Sequence, residues 1–178
     1  MIYYTADPHF GHQAVIRFQN RPFENVQAMN DCMIENWNSR VKANDTVYII
    51  GDMFHKCEET EAILKKLKGK KVLVRGNHDE KWLRDENLHQ YFEDITDYAE
   101  IYDLNNLIVM CHYPLLSWKK DSKSYMIYGH IHSNTDMDFW PLIKVRERML
   151  NAGADINNFM PVTLNELIIN NEEFKKRN

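Results

Sequence analysis

Short apolar segments that end in polar, turn-forming clusters recur along the chain. Each segment is rich in Val, Ile, Leu or Tyr, and turn residues such as Gly, Asp or Pro follow it closely. Short apolar runs that end in this way are typical of buried β-strands. The pattern therefore predicts strands at residues 2–6, 46–50, 71–75, 107–111 and 125–128.

Between these segments, apolar positions recur every three or four residues, which is the spacing of one face of an α-helix. They predict helices over residues 26–41 and 58–68, with Gly69 at the C-terminal end of the second. Thr163 and Glu166 have the spacing of a capping box. In this motif the side chains of the N-cap residue and of the third helical residue each accept a hydrogen bond from the other residue's backbone N–H. They predict the beginning of a last helix.

A hairpin is predicted where residues 98–103 and 107–111 flank a short Leu-Asn-Asn turn. Strands that alternate with helices, together with one hairpin, favour an α/β fold with layered, mixed β-sheets. The length of 178 residues fits one domain spanning residues 1–178, since domains commonly hold roughly 100–200 residues. No internal repeat or linker divides the chain.

The overall charge gives no sign of a broad basic face. The net charge of −4 weighs against tight binding of long nucleic acid, which depends on Lys and Arg that neutralise phosphates. Cys32, Cys57 and Cys111 form no C-x-x-C pair and favour a reducing compartment. No window holds the ~18 apolar residues of a membrane span. These features predict a cytoplasmic protein with no membrane partner, and they leave its oligomeric state open.

The polar clusters at the strand ends hold the side chains that could carry chemistry. Ligands of α/β sheets bind beyond the carboxyl ends of the strands, where the connecting loops converge. We therefore expect the clusters to meet at one place, although each alone would be interpreted as ordinary turn residues. In chain order the clusters are Asp7-Pro8-His9, Gly51-Asp52, Gly76-Asn77-His78-Asp79, His112 and Gly129-His130-Ile131-His132.

Carboxylate, carboxamide and imidazole groups are ligands of divalent ions such as Mn²⁺, Fe²⁺, Ni²⁺ or Zn²⁺, and the motifs lack the cysteines of a structural zinc site. A central carboxylate can bridge two ions through its two oxygens. Two ions roughly 3.5–4 Å apart clamp a phosphoryl group, lower the pKa of a shared water and stabilise the attacking and leaving oxygens. The ligand types therefore indicate hydrolysis of phosphomonoester or phosphodiester bonds with two divalent transition-metal ions.

In this order, the five motifs resemble those of the calcineurin-like metallophosphoesterases, which are D-x-H, G-D, G-N-H-D/E, a single H, and G-H-x-H. The resemblance runs from the first predicted strand to His132. Any one motif is weak, but the ordered set is specific. The resemblance implies two mixed β-sheets packed as a sandwich and flanked by helices, in four layers. It also implies a small stand-alone member without the capping domain of the family's DNA-processing nucleases.

The resemblance further implies a division of the ligands between the two ions. A water or hydroxide bridging the ions would attack the phosphorus. His78 would stay off the metals and act as general acid toward the leaving-group oxygen, since imidazole titrates near pH ~6.5. Asp79 is expected to tune or orient His78. One ion would be held by Asp7, His9, Asp52 and His132, and the other by Asp52, Asn77, His112 and His130.

Four further residues are candidates for substrate binding. His12 either faces a substrate phosphate or is a capping or surface histidine. Arg21 either clamps phosphate oxygens through its two-pronged guanidinium or lies in a solvated loop. His55 either lines the pocket or is exposed at a helix start. Tyr113 replaces the glycine that many family members carry after the fourth motif, which predicts a narrower pocket.

Two rival functions stay open at this level. A non-catalytic, metal-containing scaffold, like the family's retromer scaffold subunit, predicts a broken motif, whereas His78 is intact here. A nuclease or a cyclic-nucleotide phosphodiesterase would use the same chemistry, although the net charge argues against long duplexes. The expected partner is a small phosphorylated substrate, with nucleotides among the candidates.

Overall fold

The computed structural model describes residues 1–178 and contains eight strands and six α-helices. The strands are β1 (Ile2–Thr5), β2 (Thr46–Ile50), β3 (Lys70–Val74), β4 (Asp94–Thr96), β5 (Ala99–Asp103), β6 (Asn106–Met110), β7 (Tyr125–Tyr128) and β8 (Met149–Asn151). The α-helices are α1 (Gln13–Phe18), α2 (Val26–Arg40), α3 (Thr60–Lys66), α4 (Asp79–Trp82), α5 (Trp140–Lys144) and α6 (Leu164–Arg177). Two short 3₁₀ helices cover Glu86–Tyr91 and Ala154–Ile156.

The strands form two four-stranded sheets. The first sheet has the order β1-β2-β3-β4 and the second has the order β5-β6-β7-β8. The second sheet is mixed, because β5 and β6 form the predicted antiparallel hairpin while its other pairs are parallel. The four strands of the first sheet are all parallel, so only the second sheet has the expected mixed strand pairing, although an isolated antiparallel bridge between Tyr4 and Val162 lies on β1.

Side-chain alternation along the strands builds the layers. Successive strand residues point to opposite faces, and on β1 Tyr3 packs with α2 and α3 while Tyr4 packs between the two sheets. A third apolar cluster covers the outer face of the second sheet with Trp140 and Ile143 of α5. The structure is thus a two-sheet sandwich flanked by helices, and the α/β fold implied by the family resemblance is confirmed.

The helix ends follow the sequence signals closely. Asn25 caps α2, since its side-chain oxygen accepts a hydrogen bond from the backbone N of Ala28 at 2.9 Å. At the start of α6, the Glu166 carboxylate accepts hydrogen bonds from the backbone N and the hydroxyl of Thr163, both at 2.8 Å. The predicted capping box is therefore confirmed. Helix α3 is shorter than predicted and ends at Lys66.

Candidate metal centre

The five polar clusters meet at the carboxyl ends of strands from both sheets. Backbone and side-chain hydrogen bonds tie the strand ends together: the backbone N of Asp7 donates to the carbonyl of Gly51 at 3.0 Å. The backbone N of His130 donates to Asp7 Oδ2 at 2.8 Å. The convergence predicted from strand-end position is thus present. Strands β1, β2 and β3 of the first sheet lead into Asp7, His9, Asp52, Asn77 and His78, and strands β6 and β7 of the second lead into His112, His130 and His132.

Sharp backbone turns aim these side chains at a common space. Five predicted ligands adopt the left-handed conformation, which is uncommon for residues with a side chain but is enriched in Asp and His. Such strain costs on the order of 1–3 kcal/mol per residue and clusters at functional sites. The φ angles are 53° at Asp7, 52° at His9, 53° at Asp52, 70° at His130 and 52° at His132.

Asp7, His9 and His132 form the first ligand group, and their ligand atoms all lie within 4.8 Å of one another. Asp7 is fully buried, and its Oδ1 has no hydrogen-bond partner. Burial raises the pKa of Asp7 to about 6, despite the opposing effects of His132 and His112. A buried, unpartnered carboxylate oxygen is costly without a compensating charge. The first ligand group therefore fits a bound cation.

Asn77, His112 and His130 form the second ligand group. Asn77 Oδ1 lies 3.2 Å from His112 Nε2 and 3.1 Å from His130 Nδ1. Asp52 stands between the groups, because its Oδ2 is 3.7 Å from His9 Nε2 and 3.6 Å from His112 Nε2. Mixed oxygen and imidazole donors suit divalent transition-metal ions, so these residues could hold ions on both sides of Asp52.

Hydrogen bonds behind two of the histidines fix which ring nitrogen faces the centre. His112 Nδ1 donates to the carbonyl of Ile50 at 3.0 Å, which leaves Nε2 toward the second ligand group. His132 Nδ1 pairs with Asp155 Oδ2 at 2.8 Å. Burial lowers the pKa of His132, but the hydrogen bond to Asp155 and the charges of Asp7 and Asp155 outweigh burial and raise that pKa overall. Partners of this kind orient metal-ligating imidazoles.

Asp155 is a site residue that sequence reasoning missed. It follows β8 and the turn residue Gly153, so it obeys the same strand-end rule as the five motifs. The signal was weak because β8 has only three residues and because a lone Asp after a short apolar run is common. Its role depends on a contact with His132, 23 positions away.

His78 lies beside the two ligand groups without belonging to either. Its Nε2 is 3.9 Å from Asp52 Oδ2, and its side chain is 37% exposed, whereas His9 and His112 are buried. Its backbone N donates to Asp52 Oδ1 at 2.8 Å. His78 is thus anchored through its backbone, and its ring lines the cavity at the centre.

The expectation that Asp79 orients His78 is wrong. The Asp79 carboxylate is fully buried and accepts four hydrogen bonds, none of which comes from His78. Instead it ties the loop after β2 to the loop after β3 and so fixes the position of Asp52. Its four donors are the backbone N atoms of Asp52, Met53 and Gly76 and the indole Nε1 of Trp82.

A cavity of about 460 Å³ opens onto the centre. His12 and His55 both line it, with ring centroids 4.2 Å apart, and the exposed ring of Phe18 stands at its edge next to His12. Burial, followed by the proximity of His55, lowers the pKa of His12 to about 4. Burial also lowers the pKa of His55. The structure therefore places both predicted histidines where a ligand of the centre would contact them.

The other two substrate candidates differ from each other. Tyr113 is 46% exposed, and its ring centroid lies 4.7 Å from that of His130, but it is not among the residues that line the cavity, so its predicted narrowing of the pocket stays a prediction. The prediction that Arg21 clamps substrate phosphate is wrong. Its side chain is completely buried and paired with Asp155, so its guanidinium is unavailable to a ligand in the cavity.

The protein is an α/β two-sheet sandwich. The Asp, Asn and His side chains gathered at its strand ends have the ligand types of a metal centre. A family model described as calcineurin-like phosphoesterase matches residues 1–155. The chain therefore belongs to the calcineurin-like phosphoesterase family, as its motifs indicated.

Several relatives share almost the whole chain. The uncharacterized protein MJ1445 of Methanocaldococcus jannaschii is 30% identical over 171 residues, which cover 94% of this chain and 89% of that protein. The Gene 66 protein of Mycobacterium phage L5 is 23% identical over an alignment that covers 86% of this chain and 86% of that protein. A solved structure, the protein of unknown function AQ665 from Aquifex aeolicus, is 26% identical with a TM-score of 0.75 over 93% of this chain and 96% of its own.

The helices give no indication of a membrane span. None of them combines the length and the apolar character needed to cross a lipid bilayer.

Proposed function

We propose that this chain is a phosphoesterase that hydrolyses phosphomonoester or phosphodiester bonds with two divalent metal ions. The observation that carries the proposal is the position of Asp52, whose Oδ2 lies 3.7 Å from His9 Nε2 and 3.6 Å from His112 Nε2. A carboxylate with one histidine of each ligand group at similar distance is suited to bridge two ions. The ions would be Mn²⁺, Fe²⁺, Ni²⁺ or Zn²⁺, chosen by availability as much as by ligand type.

The ligands divide between the two positions around Asp52. When bound, two ions would neutralise phosphoryl oxygens and lower the pKa of a shared water. The chain contributes fixed ligand directions, set by the left-handed backbone at the ligands and by the hydrogen bonds of Asp79. The first position would be formed by Asp7, His9, Asp52 and His132, and the second by Asp52, Asn77, His112 and His130.

His78 is proposed to donate a proton to the leaving-group oxygen. Its ring lines the cavity beside Asp52 and is partly exposed, so a leaving group there can reach it. It stands outside both ligand groups, so neither proposed metal position uses its ring nitrogens. A well-placed general acid contributes on the order of 10²–10⁴ in rate.

The cavity favours a small substrate. Its volume of about 460 Å³ lies within the range of ~300–1,000 Å³ that is typical of small-molecule sites. His12, His55 and Phe18 line the cavity, and the ring centroid of His55 lies 4.4 Å from that of His78. We propose that these three side chains contact the leaving group. A planar group such as a nucleobase would fit these rings, because offset and edge-to-face ring contacts are favourable.

The first test of the proposal is metal content together with turnover. We expect close to two transition-metal ions per chain and hydrolysis of a nitrophenyl phosphate ester when Mn²⁺ is supplied. Asp52→Asn should lose both metal and activity, because it removes the charge shared by the two positions. His78→Ala should keep its ions and lose about 10²–10⁴-fold in kcat. Plasma mass spectrometry and steady-state kinetics measure these quantities.

Two matched variants serve as controls. Asp94→Asn and His89→Ala change exposed residues of the same types that lie outside the two ligand groups and the cavity, and both should behave as the wild type. A wild-type chain that holds no ions and does not hydrolyse the ester with added Mn²⁺ or Ni²⁺ would overturn the proposal. Two ions without turnover of phosphomonoesters, diesters or cyclic nucleotides would instead establish a metal-containing scaffold.

A further inference from the structure

A buried ion pair lies directly behind the first ligand group. Arg21 Nε donates to Asp155 Oδ1 at 2.8 Å, and Arg21 Nη2 donates to Asp155 Oδ2 at 3.0 Å. The two side chains are 0% and 3% exposed. Asp155 Oδ2 also accepts the hydrogen bond from His132 Nδ1 at 2.8 Å. The guanidinium is thus linked to a predicted metal ligand through one carboxylate.

The same guanidinium holds the other ligands of this group. Arg21 Nη2 donates to the carbonyl of Asp7 at 2.8 Å, and Nη1 donates to the carbonyl of Pro8 at 2.7 Å. This segment carries Asp7 and His9, both in the left-handed conformation. A strained conformation persists only where the surroundings hold it. The two hydrogen bonds from Arg21 therefore help to keep the Asp7 and His9 side chains directed at the candidate centre. One arginine therefore contacts both sides of the first ligand group.

The second ligand group is supported differently. His112 Nδ1 is bound by a backbone carbonyl, that of Ile50, and the Asn77 oxygen lies against two histidine rings. No hydrogen bond of Arg21 or Asp155 reaches a residue of that group. A carboxylate behind an imidazole both fixes the ring and increases its basicity, which strengthens its bond to a metal ion. The support by Asp155 is thus specific to the first position, whereas the Asp7 segment that Arg21 holds also contacts the second group, because Asp7 Oδ2 accepts a hydrogen bond from the backbone N of His130.

We propose that Arg21 and Asp155 are positioning residues for the metal ion of the first ligand group, acting through His132 and through the backbone of Asp7 and Pro8. The inference rests on the proposed two-ion centre, and it goes beyond that proposal by giving the first position a support, Asp155, that the second position lacks. Loss of Asp155 weakens the ion at the first position selectively. None of the residues of the second ligand group is hydrogen-bonded to Asp155.

The test is a calorimetric Mn²⁺ titration of Asp155→Ala and Asp155→Asn. We expect one of the two ions to bind about 10–100-fold more weakly to Asp155→Ala, the usual effect of removing the partner of a metal-ligating histidine. Asp155→Asn should lose less, since its amide oxygen can still accept from His132. The affected ion is identified by comparison with His9→Ala and His112→Ala, each of which removes a ligand of one position.

Two further measurements separate positioning from general stability. Asp45→Ala removes a buried carboxylate at the opposite end of the first sheet, where it accepts hydrogen bonds from the N-terminal amine and from the backbone N of Lys42. This variant should keep both ions. In metal-free protein, NMR should show His132 protonated at Nδ1 in the wild type, and Asp155→Ala should lose that preference. Should the alanine variant not fold, the asparagine variant, which keeps the side-chain shape, still provides the test.

The possible failures can be told apart. A wild-type chain that binds no ions overturns the metal centre and this inference together. A wild-type chain that binds two ions, with Asp155 variants that bind them equally well, overturns the positioning role and leaves the proposed function intact. Equal weakening of both ions overturns the selectivity.

Discussion

At the scale of single residues, Gly51 shows how closely the backbone approaches the ligands. Its φ is +82°, and a Cβ added there would lie 2.2 Å from His112 Nδ1. Gly51→Ala should therefore push His112 away from Ile50 and weaken one bound ion. Strain and overpacking together should lower the free energy of unfolding by about 2–5 kcal/mol, measured by urea unfolding alongside a metal count.

Gly69→Ala is the matched control for Gly51→Ala. Gly69 has nearly the same φ, +83°, and an added Cβ would also clash, at 2.6 Å from Val41 Cγ1, but it lies away from the ligands. The Gly69→Ala variant should be less stable than the wild type and should still bind two ions. If Gly51→Ala retained full metal affinity, His112 would not need its observed position.

The individual residues also show which parts of the site could be predicted from the sequence. The strand-end motifs identified the side chains that converge, because the ligand types and their order are visible in the chain. The roles of Asp79, Arg21 and Asp155 were wrong or missed. Asp79 binds residues 26 and 27 positions away, and Arg21 meets Asp155 across 134 positions. Such pairings depend on packing that no local pattern encodes.

At the scale of elements, segments with a clear apolar pattern were predictable and the three-residue strands were not. Helix α2 and the β5–β6 hairpin lie within a residue or two of their predicted ranges, since their apolar spacing and turn residues agree. Strands β4 and β8 have three residues each and give no periodic signal. Their pairing comes from the neighbouring strands β3 and β7.

Helix α6 carries a buried lysine that should make stability depend on pH. Lys175 donates hydrogen bonds to the carbonyls of Arg146 and Met149, both at 2.6 Å, and burial lowers its pKa from 10.5 to about 8. Between these values the unfolded chain holds a proton that the folded chain has released, so stability rises with pH. Relative to Lys175→Met, the wild type should gain stability from pH 8 to pH 10 in urea unfolding experiments.

Lys176→Met is the control on the same helix. Lys176 is exposed and pairs only with Glu172 across one turn, so its substitution should leave the slope with pH unchanged. Parallel pH profiles for the wild type and Lys175→Met would mean that Lys175 has an ordinary pKa in the folded protein.

At the scale of the whole molecule, the candidate centre joins the two sheets. The first sheet supplies Asp7, His9, Asp52 and Asn77, and the second supplies His112, His130 and His132. Bound ions would therefore link both halves of the sandwich across the cluster of apolar side chains that already lies between them. Because the two sheets share this core, we expect residues 1–178 to unfold as one unit, and metal binding should stabilise that whole unit.

Removal of metal should accordingly lower the temperature of one cooperative unfolding transition. An ion at a free concentration 100 times its Kd stabilises the folded state by about 2.7 kcal/mol. For a chain of this length, that corresponds to roughly 5–10 °C per ion. Differential scanning calorimetry with Mn²⁺ and with chelator should show this shift, and the double variant His9→Ala with His112→Ala should not respond. Ions bound across a single cooperative unit must stabilise both sheets together. Two separate transitions would therefore contradict the prediction and mean that the sheets unfold independently.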